Sequence, residues 1–215
     1  LDKIAVRIPS HVEALDLLKS FGKPIVAPSA NLSGQISPSR AEHVLAQLDK
    51  KIDLVLDGGP CLTGIESTVI DCSEDKAVIF RPGGITTKKI MSTLIKAGLP
   101  PPENPTKILS AGQQHISPGQ LASHYAPRAS LRIMAKTAKP NEELIGFGKT
   151  LGSGRLSLNL SANGDLSEAA ANLFNMLHIA DNSGTSLIAV APVPDKGLGE
   201  AINDRLKRAA GVRNK

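Results

Sequence analysis

The sequence predicts an α/β protein of two domains joined by a proline-rich linker. Both halves of the chain alternate short apolar runs with amphipathic helical patterns, which is typical of strand–helix units. Between the halves, four prolines within residues 100–105 can continue neither a helix nor a central strand. We therefore predict one domain over residues 1–99, a linker over residues 100–130 and a second domain over residues 131–215.

The composition limits the classes of protein and site. With one Tyr, four Phe and no Trp, the cores must be built from Leu, Ile, Val and Ala. The net charge of +5 suits anionic ligands such as nucleotides or RNA, although solubility alone explains a modest positive charge. Cys61 and Cys72 lack zinc-ligand spacing, so we expect two reduced thiols and no metal site. No apolar run approaches the ~20 residues of a membrane span, so we expect a cytoplasmic protein without membrane contact.

The first elements are predicted as a strand, a helix and a strand. Residues 3–8 alternate apolar and polar side chains, which is the period of a half-buried strand. The helix has a capping box from Ser10 to Glu13, an apolar inward face and a stop at Gly22. Residues 23–27 are predicted as the second, buried strand.

A cluster of small polar residues follows this second strand. Ser29, Asn31, Ser33 and Gly34 offer hydroxyls, an amide and backbone N–H groups just past the strand end. Open α/β sheets bind ligands at that edge, so the cluster is a candidate site. For such a cluster on its own, an ordinary polar turn is the alternative.

The later elements follow the same patterns. In the first domain we predict a helix that starts near Ser37 with its apolar stripe within residues 41–48, a buried strand over 53–57, a hairpin of 66–71 with 77–80, and a helix over 87–97. In the second domain we predict strands over 131–134, 145–148, 156–160 and 187–191, and helices over 166–180 and 198–209.

Arg81 is a candidate anion ligand, because it lies between a predicted strand and a Pro-Gly-Gly turn. A guanidinium placed there can bind a phosphate or carboxylate with two parallel hydrogen bonds, although a surface arginine beside a turn is the alternative. The Ser67 hydroxyl could hold a small ligand, although serine and threonine in a strand also follow from β-propensity. His11 and His43 lie in predicted helices, and we expect solvated or capping residues there.

Taken together, these motifs resemble those of the YrdC-type threonylcarbamoyl-AMP synthases. The resembling segments occur in the same order along nearly the whole chain, at residues 28–34, 66–71, 81–83 and 117–127. The last of them, with residues 197–205, is similar to the longer two-domain form. The resemblance implies a YrdC-like twisted mixed-sheet domain followed by the linker and a small Rossmann-like α/β domain.

The resemblance also implies a reaction. Family members make L-threonylcarbamoyladenylate and pyrophosphate from L-threonine, bicarbonate and ATP, with Mg²⁺ expected beside the phosphates. The product would serve a downstream tRNA-modifying threonylcarbamoyl transferase that acts on adenosine 37 of tRNA, and a contact with tRNA is a further expectation. The last motif lies in a linker that folds over the mouth of the active site, where closure would exclude water from a labile adenylate.

By the same resemblance, residues of this sequence take roles. Ser29 and Asn31 are the expected catalytic residues, Ser67 is the expected L-threonine ligand, and no residue is assigned to a metal. The expected ATP contacts are Ala27, Ser29, Ser37, Arg81, His124 and Tyr125. Which member of the His124-Tyr125 pair touches ligand stays open.

Family members carry a segment rich in Lys and Arg upstream of these motifs, about a hundred residues by the usual size of one α/β domain. We expect this chain to lack that N-terminal half of its first domain, and to be inactive alone.

Two alternative functions stay open. One is a non-catalytic RNA-binding module of the same fold, against which the lack of an RNP-like motif argues. The other is a regulatory or carbamoyltransferase relative, against which the His124-Tyr125 motif and the second domain argue.

Overall fold

In its described residues the protein combines helices with two small sheets, and the α/β class is confirmed. The computed structural model describes residues 3–103 and 124–211. The elements of those ranges are α1 (Val12–Phe21), α2 (Ala41–Leu48), β1 (Val69–Asp71), β2 (Val78–Arg81), α3 (Thr87–Lys96), β3 (Ser130–Arg132), β4 (Glu142–Ile145), α4 (Leu166–Asn182), β5 (Leu187–Val190) and α5 (Leu198–Ala209).

The first sheet is the predicted hairpin of β1 and β2. The strands are antiparallel, Val69 lies opposite Arg81, and a bulge follows Val69. Two residues after β2, Gly83 packs onto the backbone just before β1, where an added Cβ would lie 2.4 Å from the carbonyl carbon of Ser67 and the nitrogen of Thr68. Only glycine permits this approach, which holds the end of β2 against the residues that precede β1.

The second sheet is parallel, with the strand order β3-β5-β4. The central strand β5 is buried along Ile188, Ala189 and Val190, which explains its continuous apolar sequence. Helix α4 connects β4 to β5, and α5 packs against α4. The predicted strand over 156–160 is wrong. These residues bond to the loop after β4 through isolated pairs such as Gly146 with Asn159, so no continuous ladder forms.

Three predicted strands of the first domain, over residues 3–8, 23–27 and 53–57, are also wrong, because none of these segments is a strand. Most of their apolar side chains are exposed; Val26, for example, is 95% exposed. A strand needs a neighbour to receive its backbone hydrogen bonds, and no described strand lies beside these segments. Alternation of apolar and polar residues alone therefore did not make a strand.

The helices of the first domain form where predicted, but their packing differs. Helix α1 ends at Gly22 with a φ of 70°, yet His11 and not Ser10 is its N-cap, and none of its residues is buried. The predicted inward face of α1 is therefore wrong. Helix α2 has Arg40 as its N-cap and buries His43 rather than its apolar stripe.

The main core lies in the second half of the described chain, between the parallel sheet and helices α4 and α5. It is built mostly from Leu, Ile, Val and Ala, as the composition predicts. Ile36 and Ile65 extend this core into the first half, so the two halves pack against each other. Within residues 3–103 and 124–211, no helix is long and apolar enough to cross a membrane.

Candidate functional site

The carboxylate of Glu66 lies at the centre of a polar cluster between the two halves of the chain. The phenol of Tyr125 donates to its Oε2 at 2.7 Å, and Ser37 Oγ donates to its Oε1 at 3.3 Å. Arg81 Nη1 lies 3.2 Å from Oε2, and Arg205 Nε lies 3.7 Å from the same oxygen. We call these five residues the Glu66 cluster.

Two members of the Glu66 cluster have unusual backbones. Glu66 has a φ of 64° and Tyr125 a φ of 62°. The left-handed region costs roughly 1–3 kcal/mol for residues with a Cβ, and it persists only where surrounding contacts over-determine it. Here the two strained residues hydrogen-bond to each other, so each helps to fix the other.

Arg81 is held rigidly at the end of β2. It is only 8% exposed, and its Nε and Nη2 donate to the carbonyl oxygen of Ser67 at 3.3 and 2.9 Å. The hydroxyl of Ser67 accepts from Arg7 Nη1 at 3.4 Å. Two guanidinium groups therefore lie beside Ser67, which favours binding of an anion there.

Tyr125 anchors the cluster to the core. Its side chain is fully buried, its ring lies 5.4 Å from that of Phe174, and the guanidinium carbon of Arg205 lies 5.5 Å from the ring centre. Burial raises the pKa of Tyr125 to about 12, so its phenol remains a hydrogen-bond donor. His124 meets the Tyr125 ring edge-on at 4.1 Å, and burial lowers the pKa of His124.

The polar cluster that follows Pro28 is joined to the segment that contains Tyr125. Ala126 N donates to Gly34 O at 2.9 Å, and Gln35 pairs with Ala126 in a parallel bridge. Asn31 Nδ2 donates to the carbonyl oxygens of Leu32 and Gln35 at 2.9 and 3.3 Å. Its Oδ1 is buried and accepts no hydrogen bond within the described chain. This oxygen is therefore an unsatisfied acceptor.

A stacked pair of histidines adds a second contact between the halves. The rings of His43 and His178 have centroids 3.9 Å apart, and both are buried. His178 Nε2 lies 3.1 Å from Ser37 O, while His43 Nδ1 accepts from Ser39 N just before α2. His43 is therefore not solvated, and it does not cap α2 itself, because Ser39 precedes the N-cap residue Arg40. Burial, with smaller contributions from His178 and Arg40, lowers the pKa of His43 to about 4.

Two family models divide the chain between them. The model described as "Telomere recombination" matches residues 1–83, and the model described as "Threonylcarbamoyl-AMP synthase, C-terminal domain" matches residues 85–211. Curated threonylcarbamoyl-AMP synthases of Bacillus subtilis and Pyrococcus abyssi are each 37% identical to this chain over 99% of its length. This chain belongs to the threonylcarbamoyl-AMP synthase family.

Solved structures of this synthase family have the same fold. The crystal structure of P. abyssi Sua5 complexed with L-threonine gives a TM-score of 0.81 at 33% identity, and covers 98% of this chain and 64% of that one. A variant of that protein, with a histidine and the following tyrosine changed to alanine, gives a TM-score of 0.79 at 32% identity, and covers 98% of this chain and 63% of that one.

The chain spans 64% and 65% of the length of the two curated synthases. The matches cover 99% of this chain, and they do not support the expectation that the N-terminal half of the first domain is lacking, which was the reason to expect an inactive chain.

In this synthase-family chain, the structure brings several of the residues nominated by the sequence together. Ser37, Arg81 and Tyr125 contact Glu66, and Arg81 contacts the backbone of Ser67. Asn31 and His124 lie in the two segments that pair next to this cluster. Ala27 and Ser29 are exposed, and Ser29 makes no side-chain hydrogen bond within the described residues. The predicted motif at residues 117–119 lies outside the described residues.

Glu66 and Arg205 lie at the centre of this site, but no function was predicted for either from the sequence. Glu66 was noted only as the first residue of the motif at 66–71. Arg205 carried a clearer signal, because its helical spacing places it within the apolar stripe of Leu198, Ile202 and Leu206. A charged side chain at such a position predicts a buried cation that needs a partner.

Proposed function

We propose that this chain carries out the family's ATP-dependent reaction, in which L-threonine, bicarbonate and ATP give L-threonylcarbamoyladenylate and pyrophosphate. The observation that carries the proposal is the convergence of Arg81, Ser67 and Tyr125 around Glu66 in a chain whose relatives are named threonylcarbamoyl-AMP synthase. The product would pass to a tRNA-modifying threonylcarbamoyl transferase in the cytoplasm. Because the relatives are named as synthases, they favour an enzyme over a non-catalytic RNA-binding module.

The reaction explains which groups the site needs. A carbamate formed on the amine of L-threonine attacks the α-phosphorus of ATP, and pyrophosphate leaves. Negative charge grows on phosphate oxygens, so fixed cations and hydrogen-bond donors lower the barrier. The buried guanidinium of Arg81, aligned by two hydrogen bonds to Ser67 O, is such a cation.

We assign the remaining contacts from the resemblance to the family. Asn31 and Ser29 contact the nucleotide and the intermediate, and the unused Oδ1 of Asn31 supplies an acceptor for a ligand N–H or hydroxyl. Ser37 and the backbone of Ala27 complete the ATP contacts, and Ser67 Oγ holds L-threonine. The His124-Tyr125 pair closes over the site. It is the only His-Tyr pair in this sequence, and the P. abyssi variant changes a pair of the same type.

The Glu66 cluster does not fit a protein-bound Mg²⁺ ion. Its one carboxylate already contacts two guanidinium groups and two hydroxyls, and no group of three or more His, Cys, Asp or Glu side chains in the described chain could hold a metal. Mg²⁺ is usually held largely by substrate phosphates in nucleotide enzymes. We therefore assign no residue of the cluster to the metal.

The division of the chain into domains over residues 1–99 and 131–215, with a linker between them and a Rossmann-like second domain, is part of the same proposal. The parallel order β3-β5-β4 with helix α4 as its crossover supports the Rossmann-like description.

Binding of L-threonine tests the proposal. Equilibrium dialysis with labelled L-threonine in the presence of ATP should show saturable binding that Ser67→Ala weakens. Ser92→Ala is the control, because it also removes one serine hydroxyl, here one that donates to Lys89 O within the exposed helix α3. An equal loss in both variants, or unchanged binding in Ser67→Ala, would contradict the assignment.

A further inference from the structure

Two guanidinium groups share the Glu66 carboxylate, one from the hairpin and one from the last helix. Arg81 makes the closer ion pair at 3.2 Å, while Arg205 Nε stands 3.7 Å from the same oxygen. Arg205 is 1% exposed, and its Nε makes no hydrogen bond within the described chain. A buried donor without a hydrogen-bond partner destabilises the folded state. This N–H group lies just beyond hydrogen-bonding distance from the Glu66 carboxylate.

Both terminal nitrogens of Arg205 are hydrogen-bonded. Nη2 donates to Ile65 O at 2.9 Å, and Nη1 donates to Pro82 O at 2.9 Å and to Asp204 at 2.7 Å. Ile65 directly precedes Glu66, and Pro82 directly follows Arg81. Arg205 therefore fixes the backbone on both sides of the Glu66–Arg81 pair, and its Nε stays close to the carboxylate.

The ion pair between Arg81 and Glu66 competes with the proposed binding of ATP phosphates by Arg81. A guanidinium that turns toward phosphate must leave its carboxylate, and a carboxylate that is only 24% exposed is unfavourable without a cation. Arg205 is placed to prevent that cost, since Glu66 needs to move by less than 1 Å to bring a 3.7 Å contact within hydrogen-bonding distance.

We propose that Arg205 is a positioning residue of the ATP site. It becomes the ion-pair partner of Glu66 when Arg81 turns to the phosphates. The inference rests on the proposed function of Arg81. In this exchange Tyr125 keeps its hydrogen bond to Glu66, and the one carboxylate is never without a cation. Binding of ATP then shortens the contact between Arg205 of α5 and Glu66, which precedes the hairpin. Helix α5 thereby contributes to ATP affinity.

A double-mutant cycle on ATP affinity tests the exchange. Arg205→Met should weaken ATP binding by about tenfold when Glu66 is present, a coupling of ~1.4 kcal/mol. In the Glu66→Gln background, where no charge has to be held, Arg205→Met should change ATP affinity little. If Arg205 only supports the fold, it will cost the same factor in both backgrounds, and the proposal is then wrong. Arg155→Met is the matched control, because Arg155 Nε is also 3.7 Å from a glutamate but is exposed.

A second arm needs no nucleotide. In Arg81→Met, or in Arg81→Gln if that variant folds better, the Arg205 Nε–H resonance should move downfield as it bonds to Glu66. The urea midpoint of the Arg81→Met/Arg205→Met double variant should fall by more than the sum of the two single shifts. An unmoved resonance with additive midpoints would overturn the exchange. If ATP does not bind the unaltered chain, the proposed function fails, and this arm alone decides whether the two arginines exchange at Glu66.

Discussion

Tyr125 donates a 2.7 Å hydrogen bond to the carboxylate of Glu66 across 59 residues of sequence. The bond joins two left-handed residues, one before β1 and one at the start of the second half of the described chain. It also brings the only Tyr of the protein against the ion pair between Glu66 and Arg81. The candidate site is therefore a junction between the two halves of the chain.

Removal of the phenol hydroxyl should destabilise this junction. Tyr125→Phe keeps the ring against Phe174 but removes a hydrogen bond to a charged acceptor, which is worth about 1.5–3 kcal/mol. Urea unfolding should show a loss of that size in the free energy of unfolding. In the Glu66→Gln background the loss should be smaller, because the acceptor is then neutral. A midpoint for Tyr125→Phe equal to that of the unaltered chain would show that the bond contributes nothing.

The stacked histidines predict a loss of stability in mild acid. The pKa of His43 is about 4 in the folded chain against an ordinary value of 6.5, so between these values the unfolded chain binds a proton that the folded chain does not. The contribution of neutral His43 to the free energy of unfolding is complete above about pH 6.5. As the pH falls toward 4, the free energy of unfolding decreases by at most about 3 kcal/mol. Urea unfolding at a series of pH values measures this slope.

His43→Phe provides the control for that slope, because a phenyl ring preserves the stack on His178 but does not titrate. The variant should lose part of the dependence of stability on pH. His124 and His178, whose pKa values are also lowered by burial, should supply the rest. An unchanged slope in His43→Phe would exclude His43 as a source of the acid sensitivity.

Gly83→Ala should separate the end of β2 from β1. The added Cβ would meet the backbone of Ser67 and Thr68 at 2.4 Å, and backbone cannot yield as a side-chain tip can. Overpacking of this kind costs about 1–3 kcal/mol, and here it also displaces the carbonyl that aligns Arg81. Gly58→Ala is the control, since the atoms nearest to its Cβ belong to the His11 side chain and not to backbone. Equal urea midpoints for the two variants would contradict the account of this contact.

The sequence predicted those elements whose stability depends on local signals or on neighbours close in the chain. Helices α3, α4 and α5, the hairpin and strands β3 and β5 form close to their predicted positions, whereas β4 lies three residues before the predicted strand over 145–148 and shares only Ile145 with it. The segments over residues 3–8, 23–27 and 53–57 do not form strands, since a strand depends on a partner that its own sequence does not specify. The contact between Glu66 and Arg205 was missed for a related reason, because it joins residues far apart in the sequence. The helical spacing of Arg205 indicates a buried cation, but it does not specify the partner.

ATP affinity of the Arg81→Met chain is the most direct measurement of the central claim that this cluster binds nucleotide. Calorimetric titration should show ATP binding that Arg81→Met weakens by about tenfold or more, because a charge-assisted hydrogen bond is worth about 1.5–3 kcal/mol. Arg155→Met, which removes an exposed arginine from the second half of the chain, should leave that affinity unchanged. If Arg81→Met remains folded by urea titration and binds ATP as tightly as the unaltered chain, the assignment of the site is wrong.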